Sequence, residues 1–152
     1  IQNKKISKLE KESDIPFKWN APNNWKEGET SPMRLASYNV PFSNGFADLS
    51  ITNFSGDGGG VLANLNRWRG QLNLLPQNIE EADNDAVVGQ SEIGEYKMYK
   101  IINPKNHDSA FLCSIIAVKH STIFVKLVTT YKGIVELEDE FNKFCSSFSY
   151  VK

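Results

Sequence analysis

The chain has 152 residues, of which 40% are hydrophobic and 23% are charged, and its formal net charge is −1. This length and composition are typical of one globular domain that is large enough to bury a core. The small net charge gives no electrostatic reason to expect nucleic acid or an anionic membrane surface as a partner, and apolar runs such as residues 115–118 are too short to span a bilayer.

The N-terminal segment differs in composition from the rest of the chain. Residues 1–14, IQNKKISKLEKESD, are rich in Lys and Glu and poor in large apolar side chains, which is typical of a solvated leader or tether. Because the sequence begins with Ile1 rather than Met, we expect that a signal peptide or an expression-related segment has been removed. The predicted organisation is a flexible leader over residues 1–14 and a single domain over residues 15–152.

Alternation of bulky and polar residues predicts strands in the first third of the chain. These strands are predicted at residues 17–19, 33–40 and 46–54. In the second of them, Tyr38 and Val40 are expected on the buried side, and the same alternation would bring Arg34 near the edge of the core.

A helix is predicted from Val61 to about residue 74, where Pro76 helps to end it. Its large apolar side chains recur at i, i+4, i+7 and i+11, which places them in one stripe of an α-helix. They are Val61, Leu65, Trp68 and Leu72.

The second half of the chain begins with an acidic, poorly periodic segment, residues 77–94, which is expected to be an exposed loop with an optional short strand at residues 87–88. Further strands are predicted at residues 95–103, 110–118 and 122–130, with turns at 103–109 and 119–121. A second helix is predicted over ELEDEFNKFCSSF, residues 136–148.

These elements predict the α+β class. Strands joined by short turns are antiparallel, and helices that pack on such a sheet, here of about six strands, form an α+β sandwich. The nearly continuous apolar run at residues 110–118 is expected to be a central strand that is covered on both faces.

Short motifs lie between residues 17 and 71: F-x-W, P-x-x-W, MR-x-A-x-Y-x-V, a glycine-rich turn and N-x-N-R-W-x-x-Q. The residues that carry them are Phe17, Trp19, Pro22, Trp25, Met33, Arg34, Ala36, Tyr38, Val40, Gly58, Gly59, Gly60, Asn64, Asn66, Arg67, Trp68 and Gln71. Together with the C-terminal pattern of hairpin, helix and short final strand, they resemble a family of uncharacterised bacterial exported proteins and lipoproteins, over about residues 15–150.

The layout is also similar to the PsbP/Mog1-like proteins. That resemblance implies an α/β/α sandwich whose members dock onto larger protein partners rather than catalyse reactions. The exported family implies a periplasmic or envelope location, with a membrane contact only through a lipid anchor on the removed N-terminal segment. Neither resemblance supplies catalytic residues or a cofactor.

The turn GDGGG, residues 56–60, follows a strand and opens a helix, which is the context of a nucleotide-binding fingerprint. The fingerprint is incomplete, because the third glycine of G-x-G-x-x-G would fall on Val61 and no lysine follows for a P-loop. Two interpretations remain. Gly58 and Gly59 permit a sharp turn with positive φ, or the free N–H groups at the start of the helix hold an anion.

Polar side chains on the first helix form a second candidate site. Asn64, Arg67 and Gln71 share one side of it, where two amides and a guanidinium would suit a carboxylate, a sugar or a peptide backbone. Alternatively, they tie the helix to backbone carbonyls or to the acidic segment. Trp25, beside a turn, is the best candidate for an exposed aromatic anchor, with core packing as the alternative.

No catalytic residue, metal site or cofactor is predicted. His107 and His120 fall in predicted turns without a metal-ligand spacing, and no nucleophile motif is present. Cys113 and Cys145 lie on predicted core faces, either as a disulfide that joins the last helix to the sheet or as two buried thiols.

The predicted function is a non-enzymatic, exported binding or accessory domain that docks onto a protein or another envelope component. Its binding face is expected to include Gly58 and Gly59 of the turn, the Asn64, Arg67 and Gln71 side of the helix, and also Trp25 and Arg34. The alternative is a small-ligand or anion-binding protein, or an enzyme, that uses the 56–60 turn and the same side of the helix.

Overall fold

A computed structural model describes residues 17–29, 31–43 and 45–151 of the chain. The predicted leader at residues 1–14 lies outside this part. Within it, the strands are β1 (Phe17–Lys18), β2 (Lys26–Glu27), β3 (Ala36–Phe42), β4 (Gly45–Ser55), β5 (Val87–Ser91), β6 (Gly94–Asn103), β7 (Asn106–Val118), β8 (Ser121–Thr129) and β9 (Ser149–Tyr150). The helices of the same described residues are α1 (Val61–Gln71), α2 (Ile79–Asp85) and α3 (Tyr131–Ser146).

The main sheet has seven antiparallel strands in the order β2-β3-β4-β8-β7-β6-β5, and β1 pairs separately with β9. Strands β5 to β8 follow one another through short turns, which is why they are neighbours and antiparallel. The connection from β4 to β5 contains α1 and α2, and it crosses to the far edge of the sheet, where β5 lies. The predicted antiparallel α+β fold is confirmed. The described residues contain more strands than the six predicted, and of the additional ones only β2, with two residues, had no counterpart in the predictions.

Strand β7 lies inside the sheet and is buried on both faces, as predicted. Leu112 and Ile116 belong to the apolar cluster beneath α3, whereas Phe111, Cys113 and Ile115 belong to the cluster beneath α1. Because successive side chains of a strand point to opposite faces, such a strand requires cover on both sides. Helices α1 and α3 supply that cover, which makes the fold an α/β/α sandwich.

Helix α1 buries most of the predicted apolar stripe. Leu65, Trp68 and Leu72 are buried, but Val61 is exposed. Val61 is the first helical residue, and a helical side chain leans back toward the N-terminus, which for Val61 is the direction of the glycine turn that precedes the helix. The helix ends at Gln71, earlier than predicted.

A Schellman motif, rather than Pro76, ends this helix. Asn73 has φ 61°, and its N–H donates to the Gly70 carbonyl at 3.0 Å. The N–H of Leu74 donates to the Arg69 carbonyl at 2.9 Å. A residue in the left-handed region turns the chain out of the helix and satisfies its last carbonyl groups.

The loop predicted over residues 77–94 is wrong in its first part, because residues 79–85 form α2. A capping box starts this helix: the Asn78 side chain accepts from the Glu81 N–H at 2.8 Å, and the Glu81 carboxylate accepts from the Asn78 N–H at 2.9 Å. The optional strand at residues 87–88 is present as the start of β5.

Helix α3 begins five residues earlier than the predicted start at Glu136. Thr130 caps it, and its Oγ1 accepts from the Gly133 N–H at 3.0 Å. The turn predicted at residues 103–109 is also shorter, because β7 begins at Asn106. His107 therefore lies in a strand, with its ring stacked on Tyr131 at a centroid distance of 4.5 Å.

The two cysteines are buried free thiols, so the disulfide alternative is wrong. Cys113 lies in the cluster beneath α1 and Cys145 in the cluster beneath α3, on opposite faces of the sheet. Burial raises the pKa of both thiols, that of Cys145 to about 12.

No helix within the described residues is both long and apolar enough to cross a membrane. Among those residues, no group of three or more His, Cys, Asp or Glu side chains has the geometry to hold a metal ion.

Candidate functional site

The glycine turn between β4 and α1 is tight and internally bonded. Gly58 has φ 63°, and a Cβ there would lie 3.1 Å from Cζ of Phe124, so both the backbone angle and the packing favour glycine. The N–H of Gly59 donates to Oδ1 of Asp57 at 3.0 Å. An aspartate of the turn thus already uses a donor that an anion-binding loop would offer to its ligand.

Asn64 fastens this turn to the helix. Its Nδ2 donates to the carbonyl oxygens of Gly58 and Gly60 at 2.8 Å and 2.7 Å, and its Oδ1 accepts from Nη2 of Arg67 at 2.8 Å. Asn64 is 7% exposed, which fits the interpretation that it ties the helix to backbone carbonyls. Its second effect is to hold the Arg67 guanidinium in a fixed direction at the exposed side of α1.

Gln71, one turn further along α1, contacts Lys126, a residue that was not among the candidates predicted from the sequence. Its Oε1 accepts from Nζ of Lys126 at 2.9 Å, and that ammonium lies 4.2 Å from the centroid of the Phe111 ring. Burial lowers the pKa of Lys126, and the charges of Arg67 and Arg34 lower it further. A signal was present, because Lys126 interrupts the apolar strand sequence TIFVKLV.

Arg34 lies on the α1 face of the sheet, so the expected alignment with Tyr38 is wrong. The alternation does not reach Arg34, because β3 begins only at Ala36 and the Arg34 N–H donates to the Ser31 carbonyl at 3.1 Å in a preceding turn.

The Arg34 guanidinium crosses the end of β3 to reach β4. Its Nη2 lies 3.2 Å from Oδ2 of Asp48, and its Nη1 donates to Oγ of Ser37 at 3.0 Å. The side chains of Arg34 and Asp48 are 36% and 46% exposed, so this ion pair remains accessible to solvent.

These side chains surround a region that we call the basic groove, defined by Arg34, Arg67, Lys126, Gln71 and Asp48. The groove lies beside α1, over β3, β4 and β8. The pairing of these three strands sets which side chains lie next to one another beneath it. Ser50 of β4 pairs with Lys126 of β8 on one side and with Ser37 of β3 on the other.

Helix α1 covers only half of this face. The apolar cluster beneath α1 draws on β6, β7 and β8, but includes only Phe54 of β4. Among the described residues, Arg34, Lys126 and the carboxylate of Asp48 lie on or beside the uncovered half, and Arg67 borders it from α1. Within the described residues, neither Arg67 nor Lys126 has a carboxylate within 4.0 Å. The groove therefore offers two directed cationic donors to an acidic group.

Trp25 is not an exposed anchor, and the core alternative is the one observed. It is 6% exposed, its Nε1 donates to Oε1 of Glu140 at 3.0 Å, and its ring centroid lies 4.9 Å from that of Phe144. It packs beneath α3, on the face of the sheet opposite the basic groove. The structure thus brings Arg34, Arg67 and Gln71 together around Lys126 and leaves Trp25 apart from them.

Comparisons with known proteins identify the fold. No protein-family model and no curated protein matches the chain. The solution structure of cyanobacterial PsbP (CyanoP) from Synechocystis sp. PCC 6803 matches with a TM-score of 0.58 at 14% identity, over 91% of this chain and 89% of that one. A crystal structure from Bacteroides thetaiotaomicron VPI-5482 matches with a TM-score of 0.53 at 12% identity over 90% of this chain, which spans 45% of that protein.

A third structure, LpqN, which is involved in cell envelope biogenesis of Mycobacterium tuberculosis, has a TM-score of 0.46 at 14% identity, over 90% of this chain and 83% of that one. At such identities a structural likeness indicates the fold and not the activity. With its central antiparallel sheet between α1 and α3, this chain has a PsbP-like α+β fold.

Proposed function

We propose that this protein is a non-enzymatic binding domain that acts outside the cytoplasm and docks onto an acidic surface of a protein partner through the basic groove. The observation that carries the proposal is the meeting of Arg34, Arg67 and Lys126 at the border of α1 with the half of the sheet that it leaves uncovered. Within residues 17–29, 31–43 and 45–151, the carboxylate that pairs with one of these three cations is that of Asp48.

The geometry of the donors supports binding. Asn64 holds Arg67 and Gln71 holds Lys126, so a ligand would order few additional side chains when it binds, and the entropic cost of binding is reduced. Hydrogen bonds to charged groups contribute about 1.5–3 kcal/mol each. Arg34 is expected to contribute less, because Asp48 already satisfies part of its guanidinium.

The alternative function, a small-anion site at the 56–60 turn, receives less support. The Asp57 carboxylate accepts from the Gly59 N–H, and a second anion at this turn would be repelled by it. A thermal-shift screen with phosphate, nucleotides and sugars separates the two functions, since a ligand that binds only the native state raises the melting temperature. A shift that survives Arg67→Gln but not Gly59→Ala would favour the turn.

Charge-neutralising variants and a defined acidic probe test the docking proposal. Fluorescence polarisation with a labelled hexaglutamate peptide, and with hexaglutamine as its neutral match, would compare wild type with the double variant Arg67→Gln/Lys126→Gln. We expect the hexaglutamate Kd to rise about tenfold or more. Lys143→Gln, on the exposed side of α3, is the matched control and should bind like wild type.

Two results would overturn the proposal: equal weakening by Lys143→Gln and by the groove variants, or equal binding of the two peptides. Circular dichroism and thermal melts of each variant establish that the fold is intact. The extracytoplasmic part of the proposal is supported by the motif resemblance, and fractionation of cells that express the protein from its natural gene tests it. Recovery of the protein in the cytoplasmic fraction would contradict it.

A further inference from the structure

The basic groove continues at one end into an apolar surface. Phe46, in β4, is 65% exposed. Because side chains alternate along a strand, Phe46 shares the α1 face with Asp48 and Ser50. A large aromatic ring gains most from burial, so a partner that covers Phe46 together with the polar side chains beside it would gain free energy from the contact.

Strand register sets the distance between the apolar and charged ends. Phe46 and Ser50 are four residues apart, which in an antiparallel strand is about 13 Å. Lys126 pairs directly with Ser50. The Asp48 carboxylate, bonded to Arg34, lies at the midpoint. Along β4 the groove therefore presents an aromatic ring and, two residues on, a neutralised ion pair, and the ammonium group of Lys126 lies beyond Ser50 on the neighbouring strand β8, over the Phe111 ring.

An extended peptide has the same period. Its side chains at i, i+2 and i+4 point to one side and span about 13 Å. Resting on the function proposed above, we propose that the partner contributes an extended segment with an acidic residue and a large apolar residue four positions apart. The acidic side chain contacts Lys126 and Arg67, and the apolar side chain covers Phe46. The residue midway between them lies over the Arg34–Asp48 pair and carries no charge.

The dimensions favour this occupant over a small carboxylate. A single carboxylate would occupy only the Lys126 end and would leave the Phe46 ring in water. An extended segment that covers both ends buries aromatic surface, at about 25 cal/mol per Å² of apolar area removed from water, in addition to its charge-assisted hydrogen bonds.

Labelled heptapeptides test the spacing. The probe is Gly-Asp-Ser-Thr-Ser-Phe-Gly, and its match of identical composition is Gly-Asp-Ser-Thr-Phe-Ser-Gly. The match moves the phenylalanine by one position and so turns it to the other side of an extended chain. Both are also made with Asp and Phe exchanged, because the peptide direction is not specified. By fluorescence polarisation we expect the four-residue spacing to bind about tenfold tighter than its match in one of the two directions.

Protein variants assign the two ends. A further probe carries Asn in place of Asp. Phe46→Ser should remove the advantage of the four-residue spacing but keep the preference for the Asp peptide over the Asn peptide, whereas Lys126→Gln should remove that preference. Val135→Ser is the control, because Val135 is also exposed, at 63%, but lies on α3.

The failure of this inference is distinguishable from that of the proposed function. Equal binding of the two spacings in both directions would overturn the spacing inference, while an Asp preference that depends on Lys126 would leave the docking proposal standing. Loss of every Asp preference would overturn both. An unchanged spacing preference in Phe46→Ser would also overturn the assignment of the apolar end.

Discussion

Gly133, in the first turn of α3, allows the helix to approach β8 closely, and Gly133→Ala tests that approach. A Cβ built on Gly133 would lie 1.8 Å from Oγ1, 3.0 Å from Cβ and 3.2 Å from Cγ2 of Thr129. Thr129 is the last residue of β8 and is 7% exposed. Its β-branched side chain has little rotamer freedom, so the helix or the strand end must move.

The expected magnitude follows from two opposing effects. Overpacking of this kind costs about 1–3 kcal/mol, and the first contact is short enough to favour the upper end. Alanine gains up to about 1 kcal/mol over glycine from helix propensity. The net prediction for Gly133→Ala is a loss of about 2 kcal/mol in the free energy of unfolding, or a melting temperature lower by about 4–8 °C for a chain of this size.

Gly70→Ala in α1 is the matched control. A Cβ on Gly70 would meet no atom within 4 Å, so only the propensity gain remains, and the variant should be stabilised by up to about 1 kcal/mol. Urea melts followed by circular dichroism measure both variants.

Thr129→Ala completes a double-mutant cycle at this contact. It removes Oγ1, which has no hydrogen-bond partner among the described residues, so no hydrogen bond is lost. It also removes Cγ2, so in that background the Gly133→Ala penalty should fall to the cost of the remaining 3.0 Å contact with Cβ of residue 129. A Gly133→Ala variant as stable as Gly70→Ala, or an equal penalty with and without Thr129, would refute the close approach of α3 to β8.

Further predictions concern a carboxylate, a tryptophan and a thiol. Hydrogen bonds from the side chain and N–H of Ser43 lower the pKa of Glu136, so its contribution to stability is complete above the ordinary carboxyl pKa of about 4.3 and is lost as pH falls through the lowered value. Urea melts should show the advantage of wild type over Glu136→Gln at pH 6 fading below about pH 4, and a constant difference down to pH 3 would contradict the assignment. Trp25→Phe should cost about 2 kcal/mol, because the hydrogen bond to the charged Glu140 is lost, while hexaglutamate binding stays unchanged; weakened binding would place Trp25 in the site. Burial raises the pKa of Cys145 to about 12, so its alkylation by iodoacetamide at pH 8 should proceed only at the rate of unfolding, and rapid labelling of the native protein would show that the thiol is accessible.

Strands and helices were predictable where local patterning and burial agree. β4, β6 and β8 lie within one residue of their predicted bounds because alternation or a continuous apolar run follows directly from one or two buried faces. Helix α2 was missed because it is short and acidic and buries only Ala82. Its capping box, Asn78 with Glu81, was the one local signal.

The site was harder to predict than the fold because its residues come from distant parts of the chain. Arg67 and Gln71 share a helix side, and spacing alone groups them. Lys126 joins them only because β8 lies beside β4 and beneath the edge of α1, a pairing between strands far apart in sequence. The position of Arg34 could not be predicted from alternation, because a turn at Ser31 to Arg34 precedes β3 and breaks the alternating pattern.

The arrangement of Lys126 is difficult to explain by stability alone. Its alkyl chain lies among apolar neighbours, and its ammonium is partly desolvated and close to two guanidinium groups, which together lower its pKa. A methionine would fill the same space and contact the same Phe111 ring without the cost of removing a charge from water. Surface lysines that serve only solubility extend into solvent, whereas this ammonium is held in place by Gln71. A cation held in a fixed direction at the edge of an uncovered sheet suits the proposed binding site, since part of its desolvation cost has already been met on folding and the ligand's charge would offset it.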